Sequence, residues 1–425
     1  MKKIQALHDE YIYFETLENG LQVAIHPKPN YKKIHVSLDV NFGGIDTEYK
    51  LNGTTKKIPA GIAHFLEHML FSNSGNNLAE EFSLHGAEIN AYTSKSITSY
   101  KFECLDHLDY LLEYFLNNFV KPDFSDQSVK KEREIITHEL NMSVDSFHHQ
   151  IHHKLKKMMY SDESIYEDVG GKTSDIKHIT KELLIDVFNT FYHPKNSKLI
   201  ITGDVDPKHI FDILNKNQYI NCQWNHFLPI TRISSDDKRT IHQHTKYIPN
   251  YHTNMISIGI KIPQTIFETY DREFIHISVG AILNNAFGLA SKNFDILKKE
   301  NLMNASFSTN SIIEKDYGFI NVYMQTDKAD KYFKMIMKML TDISKLPLDE
   351  ELFILDHKTI IGNYITLFDY LSRVHEFVSN CMLEQIDIEH YLEKILQFEI
   401  QDLEPIKQLF NPENIFIVRY LKKLK

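Results

Sequence analysis

The sequence has 425 residues, 42% of them hydrophobic and 12% aromatic, enough to bury the cores of two domains. A formal net charge of −10 excludes a general nucleic-acid-binding role, and no apolar run approaches the ~18 residues that span a bilayer. Cys104, Cys222 and Cys381 are too scattered for a disulfide framework, and Met1–Glu10 lacks the apolar core of a signal peptide, so the expected location is cytoplasmic.

Leu17–His26 reads as a hairpin turning at Asn19-Gly20, and Lys33–Phe42 alternates Ile34, Val36, Leu38 and Val40 as a strand with one buried face. Gly61–Phe71 reads as a short helix carrying His64-x-x-Glu67-His68. Positions i, i+3 and i+4 share one helical face, so these three side chains form a stripe on an otherwise apolar helix. Two imidazoles one turn apart can hold one Zn²⁺ at about 2.0–2.1 Å each. A third protein ligand must come from elsewhere, and the pattern alone leaves open two ordinary histidines beside a chance glutamate.

A polar stretch at Ser72–Asn77 and a helix over Leu78–His85 follow. Gly86–Cys104 reads as two strands, Asp106–Asn117 as a helix, and Ser125 to about Tyr160 as one long helix. On that long helix Val129, Ile135, Ile136, Leu140 and Met142 form the expected apolar face. Glu132 and Glu139, two turns apart, project from one side and Glu134 from another. A helix near 180–192 and a strand at Leu199–Thr202 close the first half.

Tyr192-His-Pro194-x-Asn196 reappears as Phe410-Asn-Pro412-x-Asn414, an offset of 218, and Asp106-x-x-Asp109 as Asp327-x-x-Asp330, an offset of 221. Two matches at nearly one offset indicate an internal duplication. The expected layout is a domain over 1–215, a linker over 216–242 containing the polar run Ser234–Arg239, and a homologous domain over 243–425. The fold class is α+β, two mixed domains each with a sheet covered by helices. The second copy has neither His nor Glu near Ile282–Gly288 and no carboxylate at Gly362–Tyr364.

His64-x-x-Glu67-His68, followed seventy residues later by Glu139 within Glu132-Arg-x-x-x-x-x-Glu139, resembles the pitrilysin/insulysin/mitochondrial processing peptidase family. The segments Gly86–Tyr100 and Tyr192–Asp206 resemble the family's strand pair after the zinc helix and the end of its first domain. The resemblance implies His64, His68 and Glu139 as zinc ligands, Glu67 as general base and Glu132 as a supporting carboxylate. It further implies an unpaired strand edge at Asn90-Ala91 that receives an extended peptide. Family members often place an Arg and a Tyr seven apart in the second domain. Here Tyr317 is preceded at that spacing by Asn310, and Tyr323 by Asp316, so the Arg has no counterpart; Tyr317 stands beside Asn90 and Ala91 as a substrate-binding candidate, with packing as its other reading.

Family architecture implies a clamshell chamber built by a homodimer or by a heterodimer with a homologous subunit; short bacterial members that mature bacteriocin peptides look closest in layout. The implied activity is zinc-dependent hydrolysis of short or unfolded peptides, with one Zn²⁺ per chain. The alternative is a peptide-binding or assembly subunit that needs a partner for turnover. His148-x-x-x-His152 and His149-x-x-x-His153 give two further histidine pairs at helical spacing, without a carboxylate or cysteine cluster beside them.

Overall fold

The alternation of Ile34–Val40 decides the first sheet, because it gives this strand one apolar and one polar face. The computed structural model describes residues 1–71, 78–120, 122–144, 146–225, 227–232, 242–249 and 252–423. The expected polar stretches Ser72–Asn77 and Ser234–Arg239 therefore lie outside the described residues. The chain divides into two compact units, each assembled from three segments: Met1–Ser143, Glu167–Ile233 and Tyr364–Glu393 form the first, and Val144–Tyr166, Ser234–Asn363 and Lys394–Lys425 the second.

Strands β1 (Lys2–Leu7), β2 (Glu10–Thr16), β3 (Gln22–Pro27) and β4 (Ile34–Val40) open the first unit. A small sheet then forms from β5 (Glu48–Leu51), β6 (Thr54–Lys57) and the later β10 (Ile230–Arg232). With β7 (Glu88–Thr93), β8 (Thr98–Cys104) and β9 (Ser197–Gly203) the large sheet runs β1-β2-β3-β9-β4-β8-β7, leaving β7 at an edge. Val36, Leu38 and Val40 face a helical layer whose core includes Phe65, Leu66, Leu111, Phe115, Val187 and Phe188. The expected linker carries a short helix, Gln218–Asn221, and β10, which pairs with β5.

The polar face of that sheet is covered by the helix Leu371–Glu384, packed on β4 and β9. His375 bridges Ser37 Oγ (3.0 Å from Nε2) and Thr202 Oγ1 (3.1 Å from Nδ1). Asp39, 1% exposed, accepts hydrogen bonds from Ser379 (2.6 Å), Ser99 (2.5 Å) and Ser37 (3.1 Å). Burial, with His35, Lys101 and His26 nearby, pushes the His375 imidazole down to about 3. The unfolded chain therefore takes up a proton before the folded one does. Stability tied to a neutral His375 is complete above about pH 6.5 and is lost as pH falls toward 3. Burial raises Asp39, which works in the opposite sense, so a variant comparison isolates the histidine. Wild type is expected to lose stability more steeply than His375→Asn between pH 6.5 and 4, by about 1.4 kcal/mol per pH unit. Urea denaturation across this range checks it, and parallel curves would refute it.

In the second unit, β11 (Gln243–Ile248), β12 (Asn254–Ile262), β13 (Ser308–Ile313), β14 (Gly318–Thr326) and β15 (Ile415–Lys422) run β11-β15-β12-β14-β13. This succession reproduces β3-β9-β4-β8-β7, parallel in its first pair and antiparallel in the rest, so the duplication extends to topology. Ile256, Ile258 and Ile260 face the core formed with the helices Arg272–Phe287 and Ala329–Ile343. No single helix among the described residues is long and apolar enough to cross a membrane.

The expected single helix over 125–160 is two helices, Asp126–Val144 and Phe147–Met159. Ser146 caps the second, its side chain accepting from the His149 backbone N–H. The Phe147–Met159 helix packs on β12 and β15, on the sheet face away from the main core. Gly259 permits that approach, since a Cβ there would lie 2.7 Å from Met159 Sδ. Each unit's sheet is thus closed by a helix from the other half of the sequence.

Candidate metal centre

The helix Ile62–Phe71 starts at Gly61, whose φ of +86° suits glycine. It turns the apolar side chains Phe65, Leu66, Met69 and Leu70 into the core, which fixes the direction of the His64, Glu67 and His68 stripe. A Cβ on Gly61 would lie 2.2 Å from the Gly170 carbonyl oxygen, and one on Gly170 would lie 3.6 Å from His64 Nδ1. The loop around Asp168–Gly171 is therefore pressed against the start of this helix. Asp168 Oδ1 accepts from the Gly170 N–H at 3.0 Å and holds the loop's turn.

His64 and His68 stand with ring centroids 4.6 Å apart at 69°. His68 Nε2 is 3.7 Å from Glu139 Oε2, and its Nδ1 is 3.3 Å from Glu132 Oε2. One donor atom each from His64, His68 and Glu139 lie within 4.8 Å of one another. Two nitrogens and a carboxylate oxygen are the donor set of a hydrolytic zinc site with open positions. Burial and the neighbouring His68 push His64 down to about 4, so at neutral pH its imidazole is uncharged, as a ligand must be. His64 Nδ1 is buried with no hydrogen-bond partner among the described residues. These observations fit a bound zinc ion.

Glu67 is 9% exposed, and burial is the largest influence raising its carboxyl, countered by a 2.7 Å hydrogen bond from Thr93 Oγ1 and by His68. Thr93 is a residue whose role was not assigned from the sequence. Its position two residues beyond Ala91 on β7, hence on the same strand face, was the available signal. The Asp168–Gly171 loop was also missed, although paired glycines mark a tight backbone approach.

Glu132 is 5% exposed and Glu139 is exposed, as suits a carboxylate that braces and one that presents itself to a ligand; Glu134 points into solvent. The expected apolar face of this helix needs correction. Val129, Ile136 and Leu140 are buried, but Ile135 is 38% and Met142 78% exposed. The buried stripe advances 129, 132, 136, 140, and it holds Glu132 where the pattern led one to expect only apolar side chains. Glu132→Gln is expected to weaken zinc binding about 10–100-fold. Glu134→Gln should leave it unchanged, and chelator competition measures both.

Asn90 and Ala91 lie on the edge strand β7, which packs beside the Ile62–Phe71 helix. Asn90 is exposed, and its Oδ1 accepts from the Ala91 N–H at 2.9 Å. Tyr317 belongs to the second unit, where it is buried at 5% exposure with its ring 5.6 Å from that of Tyr160.

Residues 22–171 match the family model for insulinase (peptidase family M16), and residues 178–354 match the peptidase M16 inactive domain. The chain is 29% identical over 407 residues to the uncharacterized zinc protease YmfH of Bacillus subtilis, covering 92% of this chain and 94% of that one. It is 24% identical over 363 residues to the mitochondrial-processing peptidase subunit beta of Lentinula edodes, covering 79% and 73%. Its fold is shared with a crystal structure described as a putative M16-like peptidase from Alicyclobacillus acidocaldarius, at a TM-score of 0.90, 22% identity and coverage of 98% and 99%. With an insulinase-type segment followed by an M16 inactive-type segment, and with zinc proteases among its relatives, the chain belongs to peptidase family M16 as a short, two-domain member.

Proposed function

We propose that the protein is a zinc-dependent endopeptidase acting on short or unfolded peptides. The observation that carries this reading is the convergence of His64, His68 and Glu139 beside a buried Glu67 held by Thr93. His64, His68 and Glu139 would hold Zn²⁺, which would supply Lewis acidity and lower the pKa of water at the site toward about 7. Glu67 takes the proton of the attacking water and delivers it to the departing amine nitrogen. Thr93 fixes one carboxylate oxygen, which leaves the other to move the proton. The free edge of β7 receives the substrate as an added strand, the backbone of Asn90-Ala91 setting its register. A homodimer, or pairing with a homologous subunit, completes the enclosure in this proposal.

Purified wild type, tested on a quenched-fluorescent peptide library, is expected to turn over substrate. Turnover should stop with a chelator and return with added Zn²⁺. A folded, zinc-loaded chain without turnover would sink the self-sufficient peptidase and leave a peptide-binding subunit that depends on a partner.

A further inference from the structure

A second histidine pair stands in the second unit, on the Phe147–Met159 helix. His148 Nε2 and His152 Nε2 face each other at 3.2 Å, with ring centroids 4.4 Å apart at 61°. The pair at the metal centre, His64 and His68, has the same helical spacing and nearly the same ring geometry, 4.6 Å and 69°. Two nitrogens bound at about 2.0–2.1 Å to one tetrahedral ion lie roughly 3.3 Å apart. The spacing of His148 and His152 is therefore that of two ligands on one ion.

The surroundings resemble a built site. His152 Nδ1 lies 3.1 Å from the side-chain amide of Asn321, which is 7% exposed and bonded in turn to the fully buried Ser257 hydroxyl at 2.8 Å. As placed, the Asn321 amide nitrogen donates to His152 Nδ1 and the amide oxygen accepts from the Ser257 hydroxyl; with the amide turned end for end, Nδ1–H donates to its oxygen and Nε2 is left as the lone-pair nitrogen. The Ser257 hydroxyl serves either end of the amide, since it both donates and accepts. Glu132 holds the corresponding Nδ1 of His68. Tyr323 forms a wall against both imidazoles, its centroid 5.0 and 5.1 Å from theirs, and Gln325 Nε2 donates to its hydroxyl at 2.8 Å. His148 is exposed, so the pair is open to solvent and water can fill the remaining positions.

We infer that His148 and His152 form a second metal site, separate from the peptidase centre, for a borderline divalent transition-metal ion. Among the described residues no carboxylate completes the cluster, and a pair of imidazole nitrogens selects against Mg²⁺ and Ca²⁺ and favours Cu²⁺ over Ni²⁺ and Zn²⁺. Such an ion fixes His148 onto the turn that Asn321 already anchors, and so ties the first turns of this helix to β14.

The test titrates Ni²⁺ and Cu²⁺ into the full chain carrying one equivalent of zinc, with binding read by equilibrium dialysis. One further equivalent is expected. It should be lost, or weakened at least tenfold, in His148→Asn and in His152→Asn, and kept in His149→Asn, which removes a neighbouring histidine. Asn321→Leu should weaken it about 10–100-fold. Circular dichroism confirms that each variant is folded, and His148, being exposed, can be replaced without opening the core. In the Cu²⁺ form, electron paramagnetic resonance should show coupling to two nitrogens in wild type and to fewer in His148→Asn. No further equivalent in wild type would reduce the pair to an N–H···N hydrogen bond and overturn the proposal. Retention in both pair variants, or an equal loss in His149→Asn, would overturn it as well.

Discussion

Glu67→Gln is expected to bind zinc as the native chain does and to hydrolyse peptides about 10²–10⁴-fold more slowly, the range that positioned proton transfer contributes. The substitution is nearly isosteric. The new amide oxygen still accepts the Thr93 hydroxyl that now bonds the carboxylate at 2.7 Å. It also removes a charge from a site where burial already disfavours one, so the fold should not suffer. What is lost is the capacity to take a proton from water and return it to the leaving amine. The measurement pairs kcat on a fluorogenic peptide with elemental analysis for zinc. Full zinc content with kcat within tenfold of wild type would refute the assignment of Glu67 as base. Loss of zinc would instead show that the carboxylate also stabilises the bound ion.

The other large effect is structural. Gly61→Ala is expected to destabilise the first unit by roughly 3 kcal/mol or more and to weaken zinc binding at the same time. Two costs combine. A φ of +86° costs an alanine about 1–2 kcal/mol. The added Cβ would also stand 2.2 Å from the Gly170 carbonyl oxygen, so the helix or the loop must shift. Either movement disturbs His64, whose Nδ1 lies beside that loop. Gly53→Ala separates the two costs. Its φ is +75°, but nothing lies within 4 Å of the added Cβ, so it should lose only the conformational part. Urea denaturation of both variants, with zinc affinity by chelator competition, makes the comparison. Equal, small losses at both positions would show that the contact of Gly61 with the 168–171 loop carries no energy.

The histidine–glutamate cluster was legible because its spacing follows the helical period twice over. His64, Glu67 and His68 recur at i, i+3 and i+4, and Glu132 and Glu139 at two turns, so residue type and geometry pointed the same way. Duplication was legible for a similar reason, since turn residues such as Pro194-x-Asn196 repeat at one offset and the two sheets repeat one strand order. What escaped depends on distant chain. The break near Ser146 follows from which sheet covers each helix, while the periodicity of the sequence runs on through it. His375 and Ser379 drew no expectation from the sequence, yet they are buried because Ser37, Asp39 and Thr202 offer polar partners on the sheet. Ile135 and Met142 read as core and are exposed, because Glu132 occupies the buried stripe. Thr93 could be assigned only once Glu67 was placed against β7.

The exchange of covering helices has a consequence for how the chain must be made. The first sheet is complete in sequence at Gly203, but the helix that closes its far face ends at Glu384. At about 5–20 residues per second, that helix follows roughly 10–40 seconds later on the ribosome. In the interval Ser37, Asp39, Ser99 and Thr202 face water, which hydroxyls and a carboxylate tolerate where a row of valines would invite aggregation. The waiting surface of the second unit is a helix instead. Phe147–Met159 is synthesised early and must hold its buried residues Ile151, Leu155 and Met159 until β12 and finally β15 are made. Neither half of the gene, expressed alone, encodes a sheet covered on both faces. Co-expressed halves should restore each other, while each alone should be prone to aggregate.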